Sequence, residues 1–318
     1  MKTFVLINRD AGAVRRFTGA DFGAHIRAGL AARGLDAEVR LAGAREIKSC
    51  AEAFVAQAPV GEDVTLIVGG GDGTLGSVAS ILANTDVALG ILPLGTLNHF
   101  ARDLGLPPGI EAALDVIAAR QVRTIDVADV NGRVFVNNAS IGIYPFIVAE
   151  RTAEQRRRGV GKLAAIGPAL LRTLRASSWQ RVTLSADGDM REVRTPCVFV
   201  GNNFYDIAAL GRRKDLSAGD LCVYVVKQQS WFGLALLPFR VILGLSRPEH
   251  DVELFKVRQL SIRSSHRRLR LARDGETAKE ATPLVFRIRP QALRVLAPPA
   301  AVPVRDFDES SAIPFATG

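Results

Sequence analysis

The chain has 318 residues, about the length of two ordinary domains, which excludes a single small module. Hydrophobic residues make up 48% of the sequence and charged residues 23%, a composition typical of globular proteins rather than disordered ones. The formal net charge is +9, and all of the excess lies in the second part: residues 1–125 carry 12 Lys and Arg against 13 Asp and Glu, and residues 126–318 carry 29 against 19. An anionic partner is therefore expected to meet the second part of the chain.

The cysteines and the apolar segments exclude further classes of protein. Cys50, Cys197 and Cys222 lie far apart and predict neither a disulfide framework nor a zinc site. The apolar run at residues 3–7 is too short for a signal peptide and predicts a buried first strand. The longest apolar stretch, residues 231–245, includes a proline and an arginine and is shorter than the roughly 20 residues of a membrane-spanning helix. These features predict a cytosolic protein without a transmembrane segment.

Short β-branched runs alternate with helical patterns over the first 120 residues. The predicted strands are 4–7, 37–41, 64–68 and 88–92, and the predicted helices are 21–33, 44–56 and 74–83. This alternation predicts βαβ units and an α/β domain with a parallel sheet covered on both faces.

Beyond residue 123, short alternating runs are separated by turn residues, which predicts a mainly antiparallel β-domain. The predicted strands are 133–137, 181–185, 196–200, 221–226, 259–263, 269–271 and 284–288, and the stretches 147–176 and 229–245 are predicted to be helical. We therefore predict domains over residues 1–125 and 126–297, with the tail, 298–318, packing back on the first domain.

A glycine loop, Gly69-Gly70-Gly71-Asp72-Gly73-Thr74, follows the third predicted strand and precedes a helix. Backbone N–H groups and the positive end of the helix dipole meet there, which suits a phosphate group. A tight turn is the alternative, but the loop holds more glycines than a turn needs. No P-loop motif is present, and the Gly-x-Gly-x-x-Gly pattern follows the third strand rather than the first and lacks the ribose-binding acid of a Rossmann fold.

A second loop, Pro93-Leu94-Gly95-Thr96-Leu97-Asn98-His99, follows the fourth strand and is expected to face the glycine loop. Together the two loops resemble the diacylglycerol kinase catalytic-domain family, which includes sphingoid-base and ceramide kinases and is related in fold to NAD kinase and phosphofructokinase. The resemblance continues in the same order through further blocks and covers about residues 3–297; the blocks are 123–127, 135–142, 201–203, 219–224, 274–276 and 290–295.

The resemblance implies ATP-dependent phosphorylation of a lipid hydroxyl in a cleft between a nucleotide domain and a β-sandwich domain. It implies Asp274 as general base with Glu276 assisting, although the residues alone also fit a hairpin turn at Asp274. Mg²⁺ on ATP and Arg102 are the implied electrostatic stabilisers, and Asp126 is implied to hold Arg102 in place. The residues implied to line the nucleotide phosphates are Asn8, Gly70, Gly71, Asp72, Gly73, Thr74, Gly95, Thr96 and Asn98.

The opening loop and the second loop depart from the family pattern. Residues 8–12 are Asn-Arg-Asp-Ala-Gly where Asn-Pro-x-Ser-Gly is common, which leaves open whether Arg9, Arg15 or Arg16 reaches phosphate. His99 stands where many members have Asp, and we expect it to be a loop residue without a catalytic role.

A third departure concerns a structural Mg²⁺ that several bacterial members hold in the second domain. Ala218 replaces the carboxylate that precedes Gly219 in those members, so the presence of this metal site is in doubt and Asp220 is its remaining candidate ligand.

Two basic tracts lie in the second part: residues 150–181 hold eight Lys and Arg, and residues 256–273 hold seven and no acid. Beside the apolar stretch 231–245 they predict a surface that docks reversibly on an anionic membrane. A solvated basic face is the alternative for the tracts, and a buried helix is the alternative for 231–245. The low aromatic content, 6%, argues against nucleic acid as the partner, and a homodimer is left open.

The sequence therefore predicts a cytoplasmic, peripherally membrane-associated kinase of diacylglycerol or a similar lipid alcohol. A kinase of a soluble alcohol or nucleotide, similar to NAD kinase, is the alternative within enzymes; the loop after the fourth strand and the C-terminal Asp-Gly-Glu speak against it. A nucleotide-regulated lipid-binding protein without turnover is the alternative outside enzymes, but such a protein has no need of Asp72, Arg102 and Asp274.

Overall fold

The computed structural model describes residues 2–17, 21–59, 63–142, 179–204, 213, 215–227 and 252–299. The first part alternates strands and helices: β1 (Lys2–Asn8), α1 (Gly12–Arg16), α2 (Phe22–Ala31), β2 (Glu38–Ala42), α3 (Glu46–Gln57), β3 (Val64–Gly70), α4 (Asp72–Leu82), β4 (Ala88–Pro93), α5 (His99–Asp103) and α6 (Ile110–Ala118). The strands lie in the order β2-β1-β3-β4 and all pair in parallel. The predicted α/β domain with a parallel sheet is confirmed.

Both faces of this sheet are covered by helices because its central strands β1, β3 and β4 carry apolar side chains on both sides. Along β1, Leu6 packs into a core shared with α3 and α4, whereas Val5 and Ile7 pack into a core shared with α2 and α6. β3 is buried at all seven positions, as expected for a central strand of a parallel sheet. The buried sheet fixes the carboxyl ends of β1, β3 and β4, where the predicted phosphate loops begin.

The described residues of the second part form mainly strands: β5 (Val122–Val130), β6 (Arg133–Phe135), β7 (Asn138–Gly142), β8 (Gln180–Ala186), β9 (Asp189–Thr195), β10 (Cys197–Asn202), β11 (Leu221–Val226), β12 (Val252–Val257), β13 (Gln259–Ser264), β14 (Arg268–Arg273), β15 (Glu276–Ala281) and β16 (Leu284–Leu296). One antiparallel sheet has the order β12-β11-β10-β7-β14-β15. It packs on β5, β6, β8, β13 and β16 over a common apolar core. The predicted β-sandwich is confirmed.

The last strand, β16, belongs to both parts of the molecule. Its first half pairs antiparallel with β13, and its end pairs in parallel with β4 through Val295 and Leu89. Leu293 and Val295 are buried in the core of the first domain. The predicted boundary at residue 125 falls inside β5, which pairs with β16 along both halves. One continuous sheet therefore connects the α/β domain to the sandwich.

Several predicted segments lie outside the described residues: the helices at 147–176 and 229–245, the first basic tract up to residue 178, and the tail from residue 300. None of the described helices has both the length and the apolar character needed to span a bilayer.

Candidate active site

The glycine loop after β3 and the loop after β4 touch each other at the same edge of the sheet. β3 and β4 pair in parallel up to Gly70 and Pro93, so both loops leave the sheet side by side. A Cβ added to Gly95 would lie 2.6 Å from the Cα of Gly71, well inside any normal contact distance. The predicted convergence of the two loops is confirmed, and their contact requires glycine.

Three hydrogen-bonded side chains hold the predicted phosphate loops in place. The Asn8 Nδ2 group, at the end of β1, donates to Thr74 Oγ1 over 3.0 Å and connects the opening loop to α4. Asp72 Oδ1 accepts a hydrogen bond of 3.0 Å from the backbone N–H of Phe100 and thereby caps α5 from the neighbouring loop. The three elements that the sequence predicted at the phosphates are therefore linked to one another.

Asn98 closes the loop after β4 on itself. Its φ of 49° is left-handed, a conformation that Asn tolerates better than most residues. Its Oδ1 accepts from the Gly95 N–H over 2.9 Å, and its Nδ2 donates to the carbonyl oxygens of Pro93 and Gly95. Asn98 therefore shapes the loop, while Thr96 is exposed at the loop tip.

Asp274 stands in the turn between β14 and β15, with a φ of 45° followed by Gly275 at 85°. The hairpin turn and the placement of a carboxylate in the site are thus both present. Its Oδ1 accepts from the N–H groups of Asn137 (2.8 Å) and Asn138 (3.2 Å), and its Oδ2 accepts from the N–H of Val136 (2.9 Å). Three backbone donors fix the carboxylate in one orientation.

The fixed carboxylate faces the glycine loop's helix, although the two are about 200 residues apart in sequence. Asp274 Oδ2 would lie 3.1 Å from a Cβ on Gly76, in the second turn of α4. Glu276 Oε1 would lie 3.9 Å from a Cβ on Gly73, in the first turn of the same helix. The structure therefore brings both predicted acids to the predicted phosphate site.

Burial raises the pKa of the Asp274 carboxyl above its ordinary value, while the three backbone donors and the Arg213 guanidinium act in the opposite direction. A carboxylate offers about four acceptor positions, two on each oxygen. Three are occupied by N–H groups, which leaves one position on Oδ2, the oxygen near α4. The geometry and the raised pKa both suit a general base.

A cavity of about 220 Å³ opens beside this carboxylate, between α3, α4 and the β14–β15 turn. Two cations that the sequence did not indicate as site residues, Lys48 and Arg273, line it. In the sequence, Lys48 resembles an ordinary surface residue of a helix, and Arg273 is one of the seven cations of the tract 256–273. Its lining residues are Lys48, Gly73, Gly76, Ser77, Ser80, Val134, Arg273, Asp274 and Glu276.

The prediction that Asp126 holds Arg102 is wrong. Asp126 is fully buried, and its two oxygens accept from the backbone N–H groups of Gly219 (2.7 Å) and Gln291 (2.8 Å). β5 directs this side chain inward, so it joins the loop before β11 to the irregular middle of β16. Arg102 Nη2 instead lies 2.9 Å from Nδ1 of His99, the first residue of α5. Asp126 is a structural residue in this fold.

The cations of the opening loop lie on the surface. Arg9 lies 3.7 Å from Glu46, and Arg15 lies 3.0 Å from Asp10. Arg16 is exposed and forms no ion pair within the described part of the chain.

The structural Mg²⁺ site with Asp220 as its candidate ligand stays a prediction. Nowhere in the described ranges do three His, Cys, Asp or Glu side chains come together as a ligand set. Burial raises the pKa of Asp220; the charges of Lys256 and Arg258 lower it, and those of Asp126 and Asp187 raise it further.

The chain matches two domain families, one for each of its domains. Residues 2–130 match the diacylglycerol kinase catalytic domain, and residues 144–297 match the YegS C-terminal NAD kinase beta sandwich-like domain. A probable lipid kinase YegS-like of Pseudomonas fluorescens Pf-5 is 31% identical over 293 residues, which cover 86% of this chain and 90% of that protein. A probable lipid kinase YegS-like of Pseudomonas aeruginosa PAO1 is 42% identical over 110 residues, which cover 34% of this chain and 36% of that protein.

Two solved structures from Bacillus anthracis strain Sterne share the fold. The first is 25% identical with a TM-score of 0.73, and it covers 95% of this chain and 96% of its own. The second, a crystal structure of a diacylglycerol kinase, is 22% identical with a TM-score of 0.67, and it covers 95% of this chain and 98% of its own.

Proposed function

Because this chain belongs to the family of lipid kinases that join a diacylglycerol kinase catalytic domain to a YegS-type β-sandwich domain, we propose that it phosphorylates diacylglycerol or a similar lipid alcohol with ATP. The product is phosphatidate or an analogous lipid phosphate. The observation that carries the proposal is the Asp274 carboxylate, which backbone donors hold against the helix of the glycine loop.

In the proposed reaction, the ATP phosphates lie at the N-terminus of α4, where backbone N–H groups and the helix dipole favour negative charge. Mg²⁺ arrives with ATP as part of the substrate. Asp274 Oδ2 accepts the proton of the lipid hydroxyl as the hydroxyl oxygen attacks the γ-phosphorus. The new O–P bond forms while the bond between the γ-phosphorus and the β–γ bridging oxygen breaks, and ADP leaves with that electron pair.

Positive charge around the cleft supports this assignment. Lys48 and Arg273 line the cavity beside Asp274, and Arg102 lies in α5, directly after the second phosphate loop. Cations at these positions stabilise the charge that develops on the transferred phosphoryl group.

We also propose that the enzyme docks reversibly on anionic membrane from the cytoplasm. Five cations of the tract 256–273 are exposed, and none of them forms a salt bridge within the described residues, although Lys256 and Arg258 interact electrostatically with Asp220. The five are Lys256, Arg258, Arg263, Arg267 and Arg268. Each cation near an anionic bilayer contributes about 1 kcal/mol. Co-sedimentation with vesicles of phosphatidylcholine and phosphatidylserine should fall with ionic strength and in an R267E/R268E variant. Vesicle binding that changes neither with ionic strength nor in the R267E/R268E variant would show that the tract 256–273 does not contact the membrane.

The proposed reaction is tested with labelled ATP, Mg²⁺ and a panel of lipid alcohols in mixed micelles, with NAD⁺ and soluble alcohols alongside. We expect label in a lipid, and a loss of about 10²–10⁴-fold in kcat for Asp274→Asn, the range of general-base contributions. Asp187→Asn is the matched control, because Asp187 and Gly188 form a second Asp-Gly turn, with φ values of 50° and 94°, and Asp187 is exposed.

Two results would contradict the proposal. Label in a soluble acceptor alone would favour the NAD kinase-like alternative, and lipid binding without any phosphate transfer would favour a binding protein. Full activity in Asp274→Asn would remove Asp274 as the base, even if a lipid is the substrate.

A further inference from the structure

A buried ion pair joins the two domains behind the catalytic carboxylate. Arg213 Nε donates to Asp103 Oδ2 over 2.8 Å, and the two side chains are 0% and 2% exposed. Asp103 is the last residue of α5, the short helix that Asp72 of the glycine loop caps through Phe100. The ion pair therefore starts from an element that is fixed to the predicted phosphate site.

The other nitrogens of Arg213 bind the strand junction that holds Asp274. Nη1 donates to the carbonyl oxygens of Val136 and Asn202, and Nη2 donates to Asn137 Oδ1 over 2.9 Å. The Val136 carbonyl and the Asn137 N–H belong to one peptide group, and this N–H donates to Asp274 Oδ1. A single peptide group thus lies between the guanidinium and the carboxylate.

This arrangement has an electrostatic consequence. A cation on the carbonyl oxygen polarises the peptide group and strengthens its N–H as a donor, because hydrogen bonds in a chain reinforce one another. The planar guanidinium donates hydrogen bonds to Asp103, the Val136 carbonyl and the Asn137 amide at the same time. The ammonium group of lysine is a single point charge and cannot reproduce this planar set of donors.

We propose that Arg213, anchored by Asp103, is a positioning residue for Asp274 that acts through the 136–138 backbone and ties the general base to the phosphate-loop helix α5. The proposal rests on the proposed function of Asp274 as base. Under this proposal the buried ion pair affects the rate of phosphoryl transfer, whereas a purely structural salt bridge would affect only stability.

The charged groups around Asp274 set the expected direction of the pH effect. Arg213 is the cation that lowers its pKa, and Lys48, Arg273 and Glu276 share the cavity with it. If Arg213 loses its charge, the ionised carboxylate loses a stabilising partner, and its pKa rises. The acid limb of the kcat profile, which requires ionised Asp274, then moves to higher pH.

The test measures kcat against pH, the KM for ATP and the melting temperature for Arg213→Met, Arg213→Lys and Asn137→Ala. For Arg213→Met we expect at least a tenfold loss of kcat, an acid limb raised by about one pH unit, and a KM for ATP within about threefold of the original. For Arg213→Lys we expect a smaller shift of the limb, because the charge stays while the bidentate geometry is lost. Asn137→Ala removes one acceptor of Arg213 and supplies a milder variant if the arginine variants do not fold.

Arg289→Met is the matched control, because Arg289 Nε also donates to a buried aspartate, Asp129 Oδ2, over 2.8 Å and lies outside this network. The acid limb of the kcat profile of Arg289→Met should coincide with that of the original enzyme. The proposal is overturned if the folded variants of Arg213 or Asn137 keep the original acid limb, or if the limb moves equally in Arg289→Met. Inactivity of Asp274→Asn with unchanged limbs in these variants would leave the proposed function standing and remove only the role of Arg213.

Discussion

The contact between Gly71 and Gly95 gives the sharpest test of the two-loop site. In Gly95→Ala the new methyl group would lie 2.6 Å from the Gly71 Cα and 2.7 Å from Asn98 Oδ1. Normal carbon contacts lie near 3.5–4.0 Å, so the loops must separate by about 1 Å. Neither neighbour can yield easily, because one is backbone and the other accepts the Gly95 N–H.

Overpacking of this kind costs about 1–3 kcal/mol, and loss of the Asn98 bond adds about 1 kcal/mol. We expect the free energy of unfolding to fall by about 2–4 kcal/mol in urea titrations, and kcat/KM for ATP to fall at least tenfold, because a displacement of 1 Å at a phosphate site disturbs alignment of the reacting atoms.

Gly29→Ala is the matched control for this substitution. Its methyl group would lie 2.7 Å from Leu114 Cδ1, but that atom is the end of a flexible side chain and Gly29 lies within a helix, where alanine is favoured by up to about 1 kcal/mol. We expect near-original stability and activity. If Gly95→Ala matches Gly29→Ala in both measurements, the loops do not need their close contact.

Three further predictions concern single side chains. Because burial raises the pKa of Asp274 and the base must be ionised, the kcat profile should show an acid limb above 3.8, the ordinary value, and the residual activity of Asp274→Asn should lack it. Asp72→Asn should keep the melting temperature and raise the KM for Mg-ATP, whereas Asp72→Ala should also lose about 1 kcal/mol of stability with its bond to Phe100; equal stability losses would contradict the capping role. Burial raises the pKa of the Cys222 thiol to about 12, so iodoacetamide at pH 8 should modify the half-buried Cys50 first and Cys222 only after unfolding, as read by peptide mass spectrometry.

The sequence predicted the central strands of the first domain accurately because β1, β3 and β4 are buried on both faces. The run 64–68 and its observed strand, Val64–Gly70, differ by two residues, and the helix predicted at 74–83 begins at Asp72. A continuous apolar run followed by glycine carries a strong local signal. The same signal located the glycine loop and its neighbour after β4.

Edge strands were missed for a physical reason. β9, β12 and β15 lie at sheet edges, where one side of a strand faces solvent and needs little apolar character. β15 is largely exposed along its length. Residues 276–281 form a strand because they pair with β14, and their sequence shows no periodicity that would predict one.

The partners of charged side chains could not be predicted, because they depend on how distant segments meet. Asp126 and Arg102 both lie in segments that resemble the kinase family, and the sequence therefore suggested that they pair. In the structure, the Asp126 side chain instead accepts hydrogen bonds from backbone N–H groups of the loop before β11 and of β16. Arg213 stands among other cations in sequence, in Arg-Arg-Lys, and only the fold shows that this one is buried.

The site also depends on a backbone detail that no residue pattern reveals. Asp274 reaches α4 because β7 and β14 pair antiparallel, which places the N–H groups of residues 136–138 against its turn. β16 continues from the sandwich into the sheet of the first domain and pairs with β4, the strand that precedes the second predicted phosphate loop. The turn of Asp274 belongs to the six-stranded sheet, and the loops after β3 and β4 leave the ten-stranded sheet. Residues 136 and 137, between β6 of one sheet and β7 of the other, connect the two sheets beside Asp274. The ion pair between Arg213 and Asp103 joins α5 to the strand junction beside Asp274, so we expect it to help keep the Asp274 turn and the loop after β4 at a fixed distance.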